Sequence, residues 1–388
     1  HADRGAGTQG GRRYMTHVSP LRVFVSYSHS DETEFLTLRR FLTGLGLDVL
    51  CDQQIAVGRP FTDAIKGLIA AALGVIVASI GMDVEITRVQ SGNMLGLIPG
   101  SDPELKDEVV IYTAHHDHLG IGKPNEEGDA IYNGAFDNAT GVAQVMAIAK
   151  ALKALPEAPR RSILINLVGA EEQGLLGSEY YAANPTFAPG KIAANLNYDG
   201  GNIWGHTHDV TYIGLGKSTI DEIATLIAGE QGRVVKADQF ADKGYFYRSD
   251  QFSFAKIGVP AMYLDTGTDF VDRPAGWGRE QQNHYTEVNY HQPSDEYDPS
   301  WNFDGMVQDA VLGYWTGLTI ANADEMPAWN PGDEFEAARL AALLAERAAV
   351  YANADHELDT TGIGPDEAAA MLAAGAVEAA QDGEEMAT

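Results

Sequence analysis

The chain's 388 residues include 26 basic and 55 acidic side chains, giving a formal net charge of −29; that sign repels phosphates and disfavours nucleic-acid binding. A 45% hydrophobic and 21% charged composition is that of a globular protein able to bury a full core. The single cysteine, Cys51, excludes an intramolecular disulfide, and the longest apolar stretch, 68–80, is interrupted by Gly74 and is too short for a membrane span.

Residues 1–21 are Gly/Arg-rich without apolar periodicity and read as a flexible leader. From Arg22 to Ile80 strand and helix patterns alternate. RVFVSYS is a strand, 31–46 a helix, LDVLCD a strand, 61–73 a helix and GVIVASI a strand, together a βαβαβ segment over 22–81. The pattern resets near Gly81. Short strands follow over 82–100, then a buried strand over 108–117 and a helix over 140–155 striped by Val142, Val145, Ile148 and Leu152. Apolar strands over 161–172 and 192–200 both end in acids. Helices near 218–229 and 305–321 and a strand over 260–264 complete an α/β domain spanning 82–323. Residues 324–388 form an acidic, Ala-rich end with a helix over 335–348 and a weakly ordered tail.

Ligands collect at strand ends in open α/β sheets; three strands here end in acids or imidazoles, and a turn before a helix and a late loop add one acid and one imidazole. In TAHHDHLG, His115 and Asp117 share a face while His116 points away, and Asp117 can take the second N–H of a ligating His115. Asp137 lies in a Gly/Asn-rich turn before a helix, where an N-cap is the ordinary role. In GAEEQGLLGS, Glu171 and Glu172 follow a buried run. Two like charges there call for a cation or a shared proton, and one can bind metal while the other acts as a base. Asp199 closes another apolar strand, and His291 precedes a Pro-containing loop.

The order His-x-Asp, Asp-Asn-x-x-Gly, Glu-Glu-x-Gly-Leu-x-Gly-Ser, Asn-x-x-Asp and a late His resembles metallopeptidase family twenty-eight, over about 82–323. That family contains di-zinc aminopeptidases and relatives of glutamate carboxypeptidase. The resemblance implies a mixed, mostly parallel β-sheet flanked by helices. It also implies two Zn2+ per chain, with Co2+ or Mn2+ as substitutes. His115 and Asp199 would hold one ion, Glu172 and His291 the other, and Asp137 would bridge them. Glu171 would be the general base, Asp117 would orient His115, the Asp137–Asn138 peptide would be cis, and Tyr245 or Tyr247 would stabilise an oxyanion. The expected activity is removal of the N-terminal residue from peptides with a free N-terminus, and family members of this type are commonly exported, which favours a secreted or periplasmic setting over the cytoplasm. A carboxypeptidase or a glutaminyl cyclase shares the same cage. One departure stands out: Gln251 occupies the place where the family often has His after Ser-Asp.

Residues 22–81 resemble the first half of a Toll/interleukin-receptor-type domain through FVSYSHSD, CDQQIAVGRPF and VIVASI. The helix carrying the Glu that NAD-cleaving members use has no counterpart before peptidase-like sequence begins. The resemblance implies at most a protein partner for this segment, and a non-catalytic scaffold is the competing reading for the whole chain.

Overall fold

The computed structural model describes residues 90–351, together with two short strands, β1 (Arg22–Val25) and β2 (Asp48–Cys51). The chain divides into two units, 1–89 and 90–388. In the first unit β1 and β2 pair in parallel. The rest of the Toll/interleukin-receptor-like segment, the leader and the acidic tail beyond Tyr351 lie outside the described residues.

The second unit is built on a seven-stranded sheet. Its strands are β3 (Met94–Ile98), β4 (Val109–His115), β7 (Ser162–Val168), β8 (Ile192–Tyr198), β9 (Asp209–Ile213), β10 (Val234–Ala237) and β11 (Ala261–Asp265), in the order β10-β9-β11-β8-β4-β7-β3. The four central strands β11, β8, β4 and β7 are mutually parallel, while β3 and β9 pair antiparallel to their neighbours β7 and β11. A small antiparallel pair, β5 (Gly120–Ile121) and β6 (Ile131–Tyr132), stands apart. The expected mixed, mostly parallel sheet is therefore what forms.

The central strands read as unbroken apolar runs because both of their faces are covered. In β4, Val110, Tyr112 and Ala114 face one core and Val109 and Ile111 the other. The larger core is roofed by α1 (Gly141–Lys153), α3 (Ile220–Glu230) and α6 (Asp304–Asn322); the smaller lies under α2 (Leu176–Ala183) and α4 (Gln251–Lys256). Gly313 and Gly317, one turn apart on α6, let that helix settle on the hydroxyls of Tyr198 and Tyr112, where a Cβ would collide. Tyr112 donates to the Gly313 carbonyl at 2.9 Å.

The helix α7 (Glu336–Tyr351) matches the expected one, but α5 (Trp277–Val288) was not anticipated. Its sequence WGREQQNHYTEV is mostly polar, with Trp277, Tyr285 and Val288 its large apolar residues, and Gly278 is its one fully buried residue. Among the described residues no helix is long and apolar enough to cross a membrane.

Candidate metal centre

Because β11, β8, β4 and β7 run the same way, their carboxyl ends gather along one edge of the sheet. His115 is the last residue of β4, Asp199 follows β8, and Glu171 and Glu172 follow β7 in a turn opened by the left-handed backbone of Ala170 (φ 57°). Asp137 arrives from the irregular turn before α1, whose Asp137–Asn138 peptide is cis. His291 comes from the loop after α5.

These side chains converge. The Nε2 of His115 lies 3.0 Å from Asp137 Oδ1 and 3.2 Å from Asp199 Oδ1. The Nε2 of His291 lies 2.8 Å from Glu172 Oε2 and 3.6 Å from Asp137 Oδ2. Asp137 thus touches both halves, one oxygen to each. All five expected ligands are brought together, and Glu171 sits beside His115 and Glu172.

The cluster fits divalent cations for a specific reason. Asp137 Oδ1, Glu172 Oε1, His118 Nδ1 and His291 Nε2 are buried and close to one another, yet none makes an aligned hydrogen bond. Buried polar atoms without partners are costly, and lone pairs aimed at a common space are what an ion requires. The electrostatics agree. Burial opposes a charged His115, but Asp199 and Asp137 outweigh it and hold its proton well above the ordinary histidine range. Burial likewise opposes charge on His291, and Asp137 and Glu172 raise it to about 9. The carboxylates demand positive charge at both ends. Glu171 differs: burial, then Asp199 and Asp250, push its carboxyl well above the usual carboxylate range, as suits a proton-carrying group.

Two expectations change. The carboxylate of Asp117 does not hold His115; the Asp117 backbone carbonyl faces His115 Nδ1 at 3.0 Å, and its carboxylate accepts the Ala170 N–H at 2.6 Å. Asp117 therefore fixes the turn that presents the two glutamates. Tyr247 is turned away from the centre: half-exposed, it donates its hydroxyl to Glu334 at 2.7 Å. Tyr245 instead lines the pocket beside the cluster, its hydroxyl pushed up to about 12 by burial and by Asp265.

Three residues escaped the sequence reading. His118 places Nδ1 2.7 Å from Glu172 Oε1; it stands three residues after His115 in the same motif, a spacing that could have flagged it. Asp295, 2% exposed, accepts the backbone N–H groups of Phe136 and Asp137 at 2.9 and 3.1 Å and so holds the bridging loop. Ser249 donates to Asp199 at 2.6 Å. Behind it, Asn197 donates to both Ser249 and Gln251, and Gln251 donates to the Phe246 carbonyl. The glutamine that departs from the family's pattern thus ties the tyrosine turn to β8.

The adjoining pocket, of about 200 Å³, is walled by aromatic rings and opens directly onto Asp137, Glu171, Glu172 and Asp199.

Among known proteins, the model of Peptidase family M28 matches residues 93–315. Leupeptin-inactivating enzyme 1 of Streptomyces exfoliatus is 27% identical over 190 residues, 48% of this chain and 39% of that protein. A probable zinc metalloprotease of Pyrenophora teres f. teres is 33% identical over 111 residues, 29% of this chain and 22% of that one. The chain therefore spans well under half the length of these relatives. A zinc aminopeptidase from Bacillus subtilis is similar in structure, with a TM-score of 0.45 and 22% identity over 60% of this chain and 50% of that one.

Proposed function

The chain belongs to peptidase family M28, and from that premise we propose that it is a zinc-dependent aminopeptidase removing the N-terminal residue of peptides. The observation that carries the reading is the convergence of His115, Asp137, Asp199, Glu172 and His291, with Glu171 beside them and a pocket in front. His115 and Asp199 would hold one zinc, Glu172 and His291 the other, and Asp137 both; His118 stands within reach of the second. A bound pair supplies Lewis acidity, polarising the scissile carbonyl and acidifying a water.

The chain's own groups supply the rest. Glu171 takes a proton from the attacking water as its oxygen bonds to the carbonyl carbon. As the C–N bond breaks, Glu171 returns that proton to the departing amine. Tyr245, kept protonated by its raised pKa, offers an O–H to the developing oxyanion. The carboxyl groups of Asp199 and Glu171 at the metal end of the pocket favour the positive α-amino group of the substrate.

Lys243 and Arg248 also line the pocket and support a second reading, a carboxypeptidase gripping a terminal carboxylate. An N-acetylated peptide separates the two: an aminopeptidase leaves it intact, whereas a carboxypeptidase shortens it. The test of mechanism is Glu171→Gln. It should retain zinc by elemental analysis and lose about 10²- to 10⁴-fold in turnover of an aminoacyl amide. Near-wild-type turnover in that variant would refute the base assignment.

A further inference from the structure

We propose that Asp265, with Thr266 and Gln282, makes the pocket selective for a basic side chain, arginine above all, on the residue that is released. This rests on the aminopeptidase reading and adds the substrate class to it.

Asp265 ends β11, two residues after Tyr263 and on the same face of the strand, so both look into the pocket beside the metal centre. One carboxylate oxygen accepts the Thr266 N–H at 2.6 Å. Burial, then the neighbouring Asp199, Asp238 and Asp309, raise its carboxyl to about 7, so a cation seated against it favours its ionised form; Lys243 and Arg248 line the same pocket but are not among the groups that weigh most on it. Two further acceptors lie there without partners. Thr266 Oγ1 is buried and unbonded, and so is Gln282 Oε1, although the Gln282 amide nitrogen donates to the Thr266 carbonyl at 3.2 Å.

Two buried oxygens without a protein partner, beside a carboxylate that accepts the Thr266 N–H, define the ligand by complement. It must bring several N–H groups and a positive charge. A guanidinium has five donors in a fixed fork, and a lysine ammonium has three. The walls fit the rest of such a side chain. Tyr245, Tyr263, Phe240 and Tyr290 present aromatic faces along which an aliphatic stem packs and over which a cation is attracted. The chain already uses that attraction, since Lys243 Nζ lies 4.7 Å from the centre of the Phe240 ring and 5.8 Å from that of Tyr245. A leucine side chain would fill the same walls and leave the acceptors at the floor unanswered.

The test compares kcat/KM for arginyl, lysyl and leucyl coumarin amides with the zinc-loaded full chain. The arginyl and lysyl amides should exceed the leucyl amide by about tenfold or more. In Asp265→Asn the arginyl-to-leucyl ratio should fall about tenfold or more, because the charge is lost while the shape is kept. Should that variant not fold, inhibition of the wild type by arginine hydroxamate against norleucine hydroxamate makes the same comparison, with arginine expected tighter. A leucyl preference in the wild type, or an unchanged ratio in the variant, overturns the assignment while leaving the aminopeptidase intact. Inactivity towards every aminoacyl amide overturns the parent reading and the assignment with it.

Discussion

Asp295 is the residue through which the metal centre can be loosened without touching a ligand. Its buried carboxylate accepts the N–H of Phe136 and of Asp137, at 2.9 and 3.1 Å, and the Tyr285 hydroxyl at 3.2 Å. Asparagine keeps the shape but replaces one acceptor by an NH2 group, so one buried backbone N–H faces a donor. A buried unsatisfied group of this kind costs about 1–3 kcal/mol. For a unit of this size that corresponds to a fall in Tm of roughly 2–10 °C. The loop concerned carries the bridging Asp137, and removing the partner that orients a ligand typically lowers metal affinity by about 10- to 100-fold. Calorimetry of the metal-free Asp295→Asn protein measures the first effect, and zinc titration against a competing chelator the second. A variant that melts earlier yet binds zinc within about twofold of the wild type would refute the argument that Asp295 acts on the metal through Asp137.

Gln251→Ala should destabilise the protein by about 2–4 kcal/mol, because it strips partners from the buried Asn197 amide and from the Phe246 carbonyl; urea unfolding checks this, and a change below about 0.5 kcal/mol would contradict it. In the metal-free protein His291 is held at about 9, above its unfolded value near ~6.5. Its contribution to stability is therefore complete below that unfolded value and is lost as pH rises through about 9. Metal-free wild type should accordingly lose more Tm across this window than metal-free His291→Ala, and parallel curves would contradict the assignment.

Most of the architecture was legible because its signals are local. Unbroken runs such as VVIYTAH and SILINLV announce buried parallel strands, and the acids and imidazoles after them announce the edge where a site gathers. Three of the five expected ligands, His115, Glu172 and Asp199, come together because each sits at or just after such a strand end, while Asp137 arrives from the turn before α1 and His291 from the loop after α5. What escaped reading depends on neighbours distant in the chain. The helix α5 is a mostly polar segment whose apolar signal rests on three residues, Trp277, Tyr285 and Val288, and the role of Asp295 exists only once its loop meets the turn at Asp137. Asp117 was legible as a member of the motif but not in its bond, because alternation along a strand fixes a face and not a partner. The two tyrosines of YFY were indistinguishable in sequence; the short turn sends Tyr245 into the pocket and Tyr247 to Glu334.

Anomalous diffraction at the zinc edge, from crystals of the zinc-loaded protein, addresses the cage itself. The account predicts two peaks, one against His115 and Asp199 and one against Glu172 and His291, with a carboxylate oxygen of Asp137 on each. A single peak, or none at these side chains despite excess metal, would contradict it.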